Sequence, residues 1–428
     1  MKRRRVKITG IGPVTPAGIG REEFAKGMAE SISRVVQIRR LDSEAGDFVG
    51  AEVRGFRVTD FLEADWPKKR PRHTQFAIAG ALLALKDAGI SLTELSRERP
   101  LIVTGTSLMD GETVIKSIAG VATKGPRFGS VRAVMHAPVG TIPNDVAKAL
   151  GVTARTLVIS TSCCAGADAI GVAANMIASG EADIALCGGT EAPLNLHPML
   201  ELKMAGLAPG NPDNPERQSR PFDLWRTTGV IGEGSAIIVL EPDESPRRGY
   251  AYLDGYGFGM DDEERHPSEG LYGTGRLALA NAGASPGEID QISAWGPGHR
   301  LIDAIESAAL RRLFGERLWE IPAVSIKGAL GNALAAAGAM QIACAAIGME
   351  KGFIPPTVNW QYPDPDCPLN LSAQMRSLKS STVNWQYPDP DCPLNLSAQM
   401  RSLKSSTVLV NAHGLSGTNS SLLLRRCR

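Results

Sequence analysis

The chain has 428 residues, 43% hydrophobic and 21% charged, an ordinary soluble globular balance long enough for two or three domain-sized units. Its 46 basic and 45 acidic residues leave a net charge of +1, so charge gives no case for nucleic acid or a membrane surface as partner. Seven cysteines without framework spacing and six scattered histidines argue against a disulfide scaffold or a zinc site, and for a reducing, cytoplasmic setting.

The basic start, Lys2–Arg5, runs straight into Val6–Gly10, which reads as a strand with no signal-peptide region behind it. From there short β-branched runs alternate with helical patterns, as in a layered α/β protein. Val6–Ile8 and Leu101–Val103 read as strands with a helix, Gln75–Asp87, between them. A helix over Asp145–Leu150, a strand over Leu157–Ser160 and a helix over Ala165–Ile177 follow, then strands Ile184–Cys187 and Ala236–Leu240. Beyond Pro246–Gly249 come helices at Leu277–Ala282, Asp303–Leu313 and Ala335–Met349, and strands at Ile292–Ala294, Ala323–Ser325 and Thr407–Val410. The series predicts two similar halves, 1–249 and 250–428. Ala333–Met349 is too short to span a bilayer, and its alanines suit helix packing.

Between the strand Leu157–Ser160 and its helix lie Cys163 and Cys164. A thiol there faces the open N-terminus of a helix, whose unpaired N–H groups favour thiolate over thiol. Such a sulfur attacks thioesters and other activated acyl groups. The two cysteines equally fit a pair of small buried hydrophobes.

Residues 357–381 are repeated without a change at 382–406. Structural repeats diverge and come in longer arrays, so a lone perfect copy reads as a tandem duplication or an error in the sequence. Its prolines and polar residues suit a surface excursion, and at most one copy is expected to join the sheet layers.

Several segments, in order, resemble the β-ketoacyl-acyl carrier protein synthase family, elongating type. They are VKITGIGPVTPAGIGREEF from Val6, RHTQFAIAGALLALKDAG from Arg72, TIPNDVAKALG from Thr141 and CGGTEAP from Cys187. SRPFD from Ser219, VIGEGSAIIVLE from Val230, SIKGALGNALAAAGAM from Ser325 and NAHGLSGTN from Asn411 complete the set. The resemblance implies a thiolase-like α/β fold: two fused, pseudo-symmetric halves of layered helices and mixed sheets, usually as a homodimer. It places Cys163 as the acyl-accepting nucleophile. The oxyanion hole maps to the backbone N–H groups of Cys163 and Leu415.

The same resemblance marks departures. The family's two histidines correspond to Trp295 and Asn332. Asn332 can still donate to an oxyanion, whereas an indole donates but cannot accept a proton. Trp295 equally fits a plug in the vacated pocket. The two threonines that hold a phosphopantetheine arm correspond to Pro297 and His299. Leu415 replaces a gating phenylalanine and Gly229 another, which alters the acyl pocket and makes Gly229, Leu415 and His299 candidate substrate contacts. Lys327, Asp303 and Glu306 match the family's charged residues and are expected to form a buried hydrogen-bonding and ion-pair network, with Lys327 beside the chemistry. His413 and His299 are candidate bases, His413 the better placed because its glycine-rich turn faces the nucleophile.

The implied activity is acyl transfer from acyl carrier protein or CoA to Cys163, for carbon–carbon condensation in fatty-acid-like or polyketide synthesis. Phosphopantetheine thioesters are expected as substrates, with no bound cofactor or metal. Two alternatives stand beside it: a silent, chain-length-factor-like partner of an active ketosynthase in a heterodimer, and an acyltransferase to another acceptor without decarboxylation.

Overall fold

The computed structural model describes residues 3–41, 46–98, 100–209, 213–262, 266–362, 364, 366–367, 370–371, 401–402 and 405–427. Its main sheet is mixed. In chain order its long strands are β1 (Val6–Thr15), β2 (Pro100–Gly105), β3 (Arg155–Ile159), β4 (Ile184–Glu191), β5 (Gly234–Pro242), β6 (Ala251–Met260), β7 (Gln291–Ser293), β8 (Pro322–Val324), β9 (Thr407–His413) and β10 (Thr418–Arg426). They lie side by side as β8-β7-β9-β10-β6-β1-β5-β4-β2-β3.

That order contains the same pattern twice. From β1 outward, β5 and β4 add antiparallel, then β2 and β3 add parallel. From β6 outward, β10 and β9 add antiparallel, then β7 and β8 add parallel. The two arrays meet where β1 pairs with β6 through Lys7↔Tyr252 and Ile8↔Ala251.

The helices that fill the layers include α1 (Arg72–Ala88), α2 (Ala165–Ala178), α3 (Glu269–Asn281), α4 (Arg300–Phe314) and α5 (Ala335–Lys351). α1 covers β1 and β5, and α3 covers β6 and β10, while α2 and α5 pack on each other between the arrays. Glycine permits these close approaches. A Cβ at Gly10 or Gly12 of β1 would strike carbonyl oxygens of α1, and one at Gly255 or Gly257 of β6 would strike those of α3. At the centre, a Cβ on Gly166 of α2 would overlap the Ala335 carbonyl that opens α5. The small residues expected to favour helix packing therefore sit where the two halves meet, and Ala335–Met349 is buried throughout. No helix among the described residues is long and apolar enough to cross a membrane.

Of the duplicated segment, the first copy contributes the buried residues Thr357, Val358, Trp360 and Cys367 and the short strand Asn370–Leu371, which pairs with β8. The second contributes Arg401–Ser402, paired with Phe353–Ile354, and the buried Ser405. These pieces cover the front of one copy and the back of the other. The expectation that one copy stays out of the sheet layers falls on 372–400, outside the described residues.

Candidate active site

β3 ends at Ile159, and a short 3₁₀ turn, Ser162–Cys164, leads into α2. Ser162 holds φ at +54°, a left-handed conformation that is rare for a side chain other than glycine or asparagine. The turn is tied down on both sides. Asp168, buried in the first turn of α2, accepts from the hydroxyls of Thr161, Ser420 and Tyr256. Thr418 of β10 donates its hydroxyl to the Thr161 carbonyl at 3.1 Å, and its own carbonyl accepts from the Cys164 thiol at 3.4 Å. Cys164 is thereby a packing residue.

Cys163 points the other way, with only 4% of its surface exposed. Burial pushes its thiol up to about 11, opposed by the Ser162 hydroxyl, the Leu415 backbone N–H and the Lys327 ammonium. The helix-end advantage read from the sequence is thus outweighed by desolvation, and the resting sulfur is a thiol at neutral pH. The Leu415 N–H that donates toward this sulfur is the group expected to serve the oxyanion hole. Its side chain is 53% exposed at the rim.

The sulfur faces a cavity of about 20 Å³, room for one water. Gly229, Trp295, Pro297, His299, Asn332, His413 and Leu415 all line it with Cys163. Five dispersed segments of sequence therefore converge on one point. Lys327 does not line it. Its ammonium lies 3.6 Å from the centre of the Trp295 ring and donates to the Trp295 carbonyl at 2.5 Å and to Gln341 Oε1 at 3.1 Å. Burial lowers this lysine to about 7 against the pull of Glu306.

Trp295, 1% exposed, is held by its backbone. Glu306 of α4 accepts from the N–H groups of Trp295 and Gly296, both at 2.8 Å, and Asp303 one turn earlier accepts from Gly298 N–H at 3.1 Å. The two carboxylates thus shape the loop that presents the indole. Lys327 interacts electrostatically with Glu306 and Asp303, and the network also takes in Arg226, 3.4 Å from Asp303. Burial raises both carboxyls, Asp303 to about 7. The space left by a glycine at 229 is not open either, since a Cβ there would already lie 3.2 Å from the Pro297 carbonyl.

Asn332 Oδ1 accepts from Leu334 N–H at 3.2 Å, which leaves its NH₂ as the free group. His299 precedes α4 as its N-cap residue, its Nδ1 buried without a partner among the described residues. His413 ends β9 opposite Asn419 of β10, and its Nδ1 lies 2.7 Å from Asn419 Oδ1. Asn419 in turn donates its NH₂ to Asp261 Oδ1 at 2.7 Å and to the Gly417 carbonyl at 3.0 Å. Sequence reasoning missed Asn419, Asp261 and Arg226. It also missed Glu191, a buried carboxyl near the thiol that accepts from Thr106, Ser107 and Leu108. Among the described residues no group of three His, Cys, Asp or Glu is arranged to hold a metal.

The sequence pattern of the family described as "Beta-ketoacyl synthase, N-terminal domain" matches residues 3–245, and that of its C-terminal domain matches 250–361. The chain belongs to the β-ketoacyl synthase family. It is 32% identical over 383 residues to the tetracenomycin polyketide synthase ketoacyl synthase alpha subunit of Streptomyces glaucescens, covering 86% of this chain and 90% of that one. It is 29% identical over 439 residues to 3-oxoacyl-[acyl-carrier-protein] synthase 2 of Coxiella burnetii, covering 100% and 99%. The ishigamide ketosynthase/chain length factor structure superposes with a TM-score of 0.85 at 29% identity, with both chains fully covered. The thiolase-like ketosynthase fold is therefore shared end to end. Within this β-ketoacyl synthase, the cavity at the head of α2 joins the residues its sequence pattern singled out.

Proposed function

We propose that this β-ketoacyl synthase transfers acyl groups through a thioester on Cys163, taking them from the phosphopantetheine arm of an acyl carrier protein or from CoA. The observation that carries the reading is the pairing of a buried thiol at a helix head with the Leu415 N–H directed at it. When the sulfur attacks a thioester carbonyl, the oxyanion forms between that N–H and the N–H of Cys163 itself. The free NH₂ of Asn332 faces the same cavity and is placed to donate to the carbonyl oxygen of a second thioester. The acceptor that best fits the family is a malonyl-derived carbanion, in fatty-acid-like or polyketide synthesis. Because Trp295 cannot accept a proton, the site suits a specialised condensation better than ordinary chain elongation.

The carrier arm meets Pro297 and His299 in place of hydroxyl donors, and Gly229 and Leu415 border the acyl chain. Residues 1–249 act as the nucleophile-bearing half and 250–428 as the half bearing Trp295, Asn332 and His413. A second copy, or a related synthase chain, covers the apolar face of Gly111–Lys124, where Ile115, Ile118 and Val121 stand exposed. A cytoplasmic location follows from the substrates.

A second reading is favoured by one observation: a cavity of about 20 Å³ holds no acyl chain in this arrangement. On it, the chain is a chain-length-factor-like partner of an active ketosynthase. Intact-mass measurement after incubation with acetyl, octanoyl and malonyl thioesters of CoA and acyl carrier protein separates the two. Acyl mass on the wild type but not on Cys163→Ala supports transfer. Release of carbon dioxide from the malonyl donor then distinguishes condensation from transfer to an amine or alcohol. No added mass from any donor leaves the partner role.

A further inference from the structure

We propose that His413 is the general base for Cys163, held in the required tautomer by Asn419 and Asp261. The inference rests on the acyl-transfer reading above and supplies the proton acceptor that reading lacks.

The chain of hydrogen bonds starts at Asp261. Its carboxylate and the Gly417 carbonyl are acceptors, so the Asn419 group facing them is the NH₂. Asn419 Oδ1 therefore points at His413, and an oxygen there requires the proton of the neutral imidazole on Nδ1. Nε2 is left with its lone pair, and it makes no hydrogen bond among the described residues. His413 lines the same small cavity as Cys163, so the imidazole and the thiol share one enclosed space. Room for this arrangement is built in: a Cβ at Gly270 of α3 would overlap both Asn419 Nδ2 and Asp261 Oδ1.

The other groups near the sulfur are excluded by their own bonds. Lys327 is turned away to the Trp295 carbonyl and Gln341. The Asn332 oxygen is taken by Leu334, and the Glu191 carboxyl by four donors from residues 106–108. His299 lines the cavity too, but no partner fixes its tautomer.

In the step itself, Nε2 takes the Cys163 proton as sulfur attacks the donor carbonyl. The tetrahedral oxyanion collapses, the donor carbon–sulfur bond breaks, and the imidazolium returns the proton to the departing thiolate. The products are acyl-Cys163 and the free thiol of the donor, with no further reactant.

Two rates test this at neutral pH: alkylation of Cys163 by iodoacetamide and its acylation by octanoyl-CoA. His413→Phe is expected to lower both by about 100-fold, the low end of general-base effects. His197→Gln, at a surface histidine outside the cavity, leaves them within about threefold, and imidazole added to His413→Ala restores part of the loss, which a structural role does not predict. If the Phe variant fails to fold, His413→Gln, which can still pair with Asn419 but offers no basic nitrogen, takes its place. Unchanged rates in the folded variant, or a wild-type thiol that resists iodoacetamide altogether, overturn the proposal. Fast, His413-dependent alkylation without acylation from any donor instead keeps the base and refutes acyl transfer.

Discussion

Trp295→Ala tests whether the indole, rather than a histidine, now defines this site. The ring is almost fully buried, and truncating a core tryptophan costs about 3–5 kcal/mol through lost contacts and the cavity left behind. Part of that is its face over the Lys327 ammonium at 3.6 Å, worth about 2 kcal/mol in a desolvated setting. The new void opens onto the space beside Cys163, so water enters and rehydrates Lys327, which holds the total near about 3 kcal/mol. Urea unfolding of Trp295→Ala should show that loss as a lower midpoint at unchanged slope. Trp295→Phe, which keeps an aromatic face over the lysine, should lose roughly half as much. The same void should speed iodoacetamide alkylation of Cys163, because access and not basicity has changed. A variant as stable as the wild type, with a thiol no easier to reach, refutes the claim that Trp295 plugs the pocket and supports Lys327.

Three other outcomes follow from the geometry. Glu306→Gln leaves one acceptor for the Trp295 and Gly296 amides and sets an NH₂ against an N–H, so it should cost about 2–4 kcal/mol by urea unfolding. Burial raises Glu191 to about 7, so the folded carboxyl keeps a proton that the unfolded one releases near its ordinary 4.5. Its contribution is therefore present in full at acid pH and is lost as pH rises through about 7, some 3 kcal/mol in all. Glu191→Gln cannot titrate, and the stability of the wild type relative to it should decline by that amount between pH 4.5 and 7.5; a pH-independent difference contradicts the assignment. Gly166→Ala forces a methyl into the Ala335 carbonyl between the two central helices and should destabilise by at least about 1–3 kcal/mol. An unchanged melting temperature there would mean that α2 and α5 are not locked together.

Most of the sheet was legible because its strands are short apolar runs between turn residues. β6 was not. Its sequence, AYLDGYGFGM, carries three glycines that ordinarily weaken a strand, and they are present because α3 lies directly on the backbone. β10 begins Thr-Asn-Ser-Ser, which reads as a loop, yet Ser420 and Ser421 are buried and bonded to Asp168 and Asn411. The helix Gly111–Lys124 was missed although Asp110 caps it and its apolar residues gather on one face, which is exposed. At the site, the motif order brought out the residues that line the cavity. It could not reveal the His413–Asn419–Asp261 chain, which depends on a cross-strand pairing and on a residue 158 positions away from Asn419. Nor could a pattern weigh burial against a helix end at Cys163, where the balance is set by what surrounds the sulfur on all sides.

The departures from the family pattern make more sense together than singly. A bulky indole at 295, a glycine at 229 and a histidine at 413 border one small cavity, and each accommodates the others. The Pro297 carbonyl stands 3.2 Å from where a Gly229 Cβ would be, so a side chain at 229 would press on the loop that carries Trp295. Volume gained at one wall is given up at another, which is how cores tolerate exchange. The same site holds a strained Ser162 beside Cys163, an N–H from Leu415 acting on its sulfur, and a histidine whose Nδ1 pairs with Asn419, itself bonded to Asp261. Strain and desolvation of this kind are costs that folding alone would shed. Gathered around one thiol, they are the features that the proposed acyl transfer through Cys163 requires.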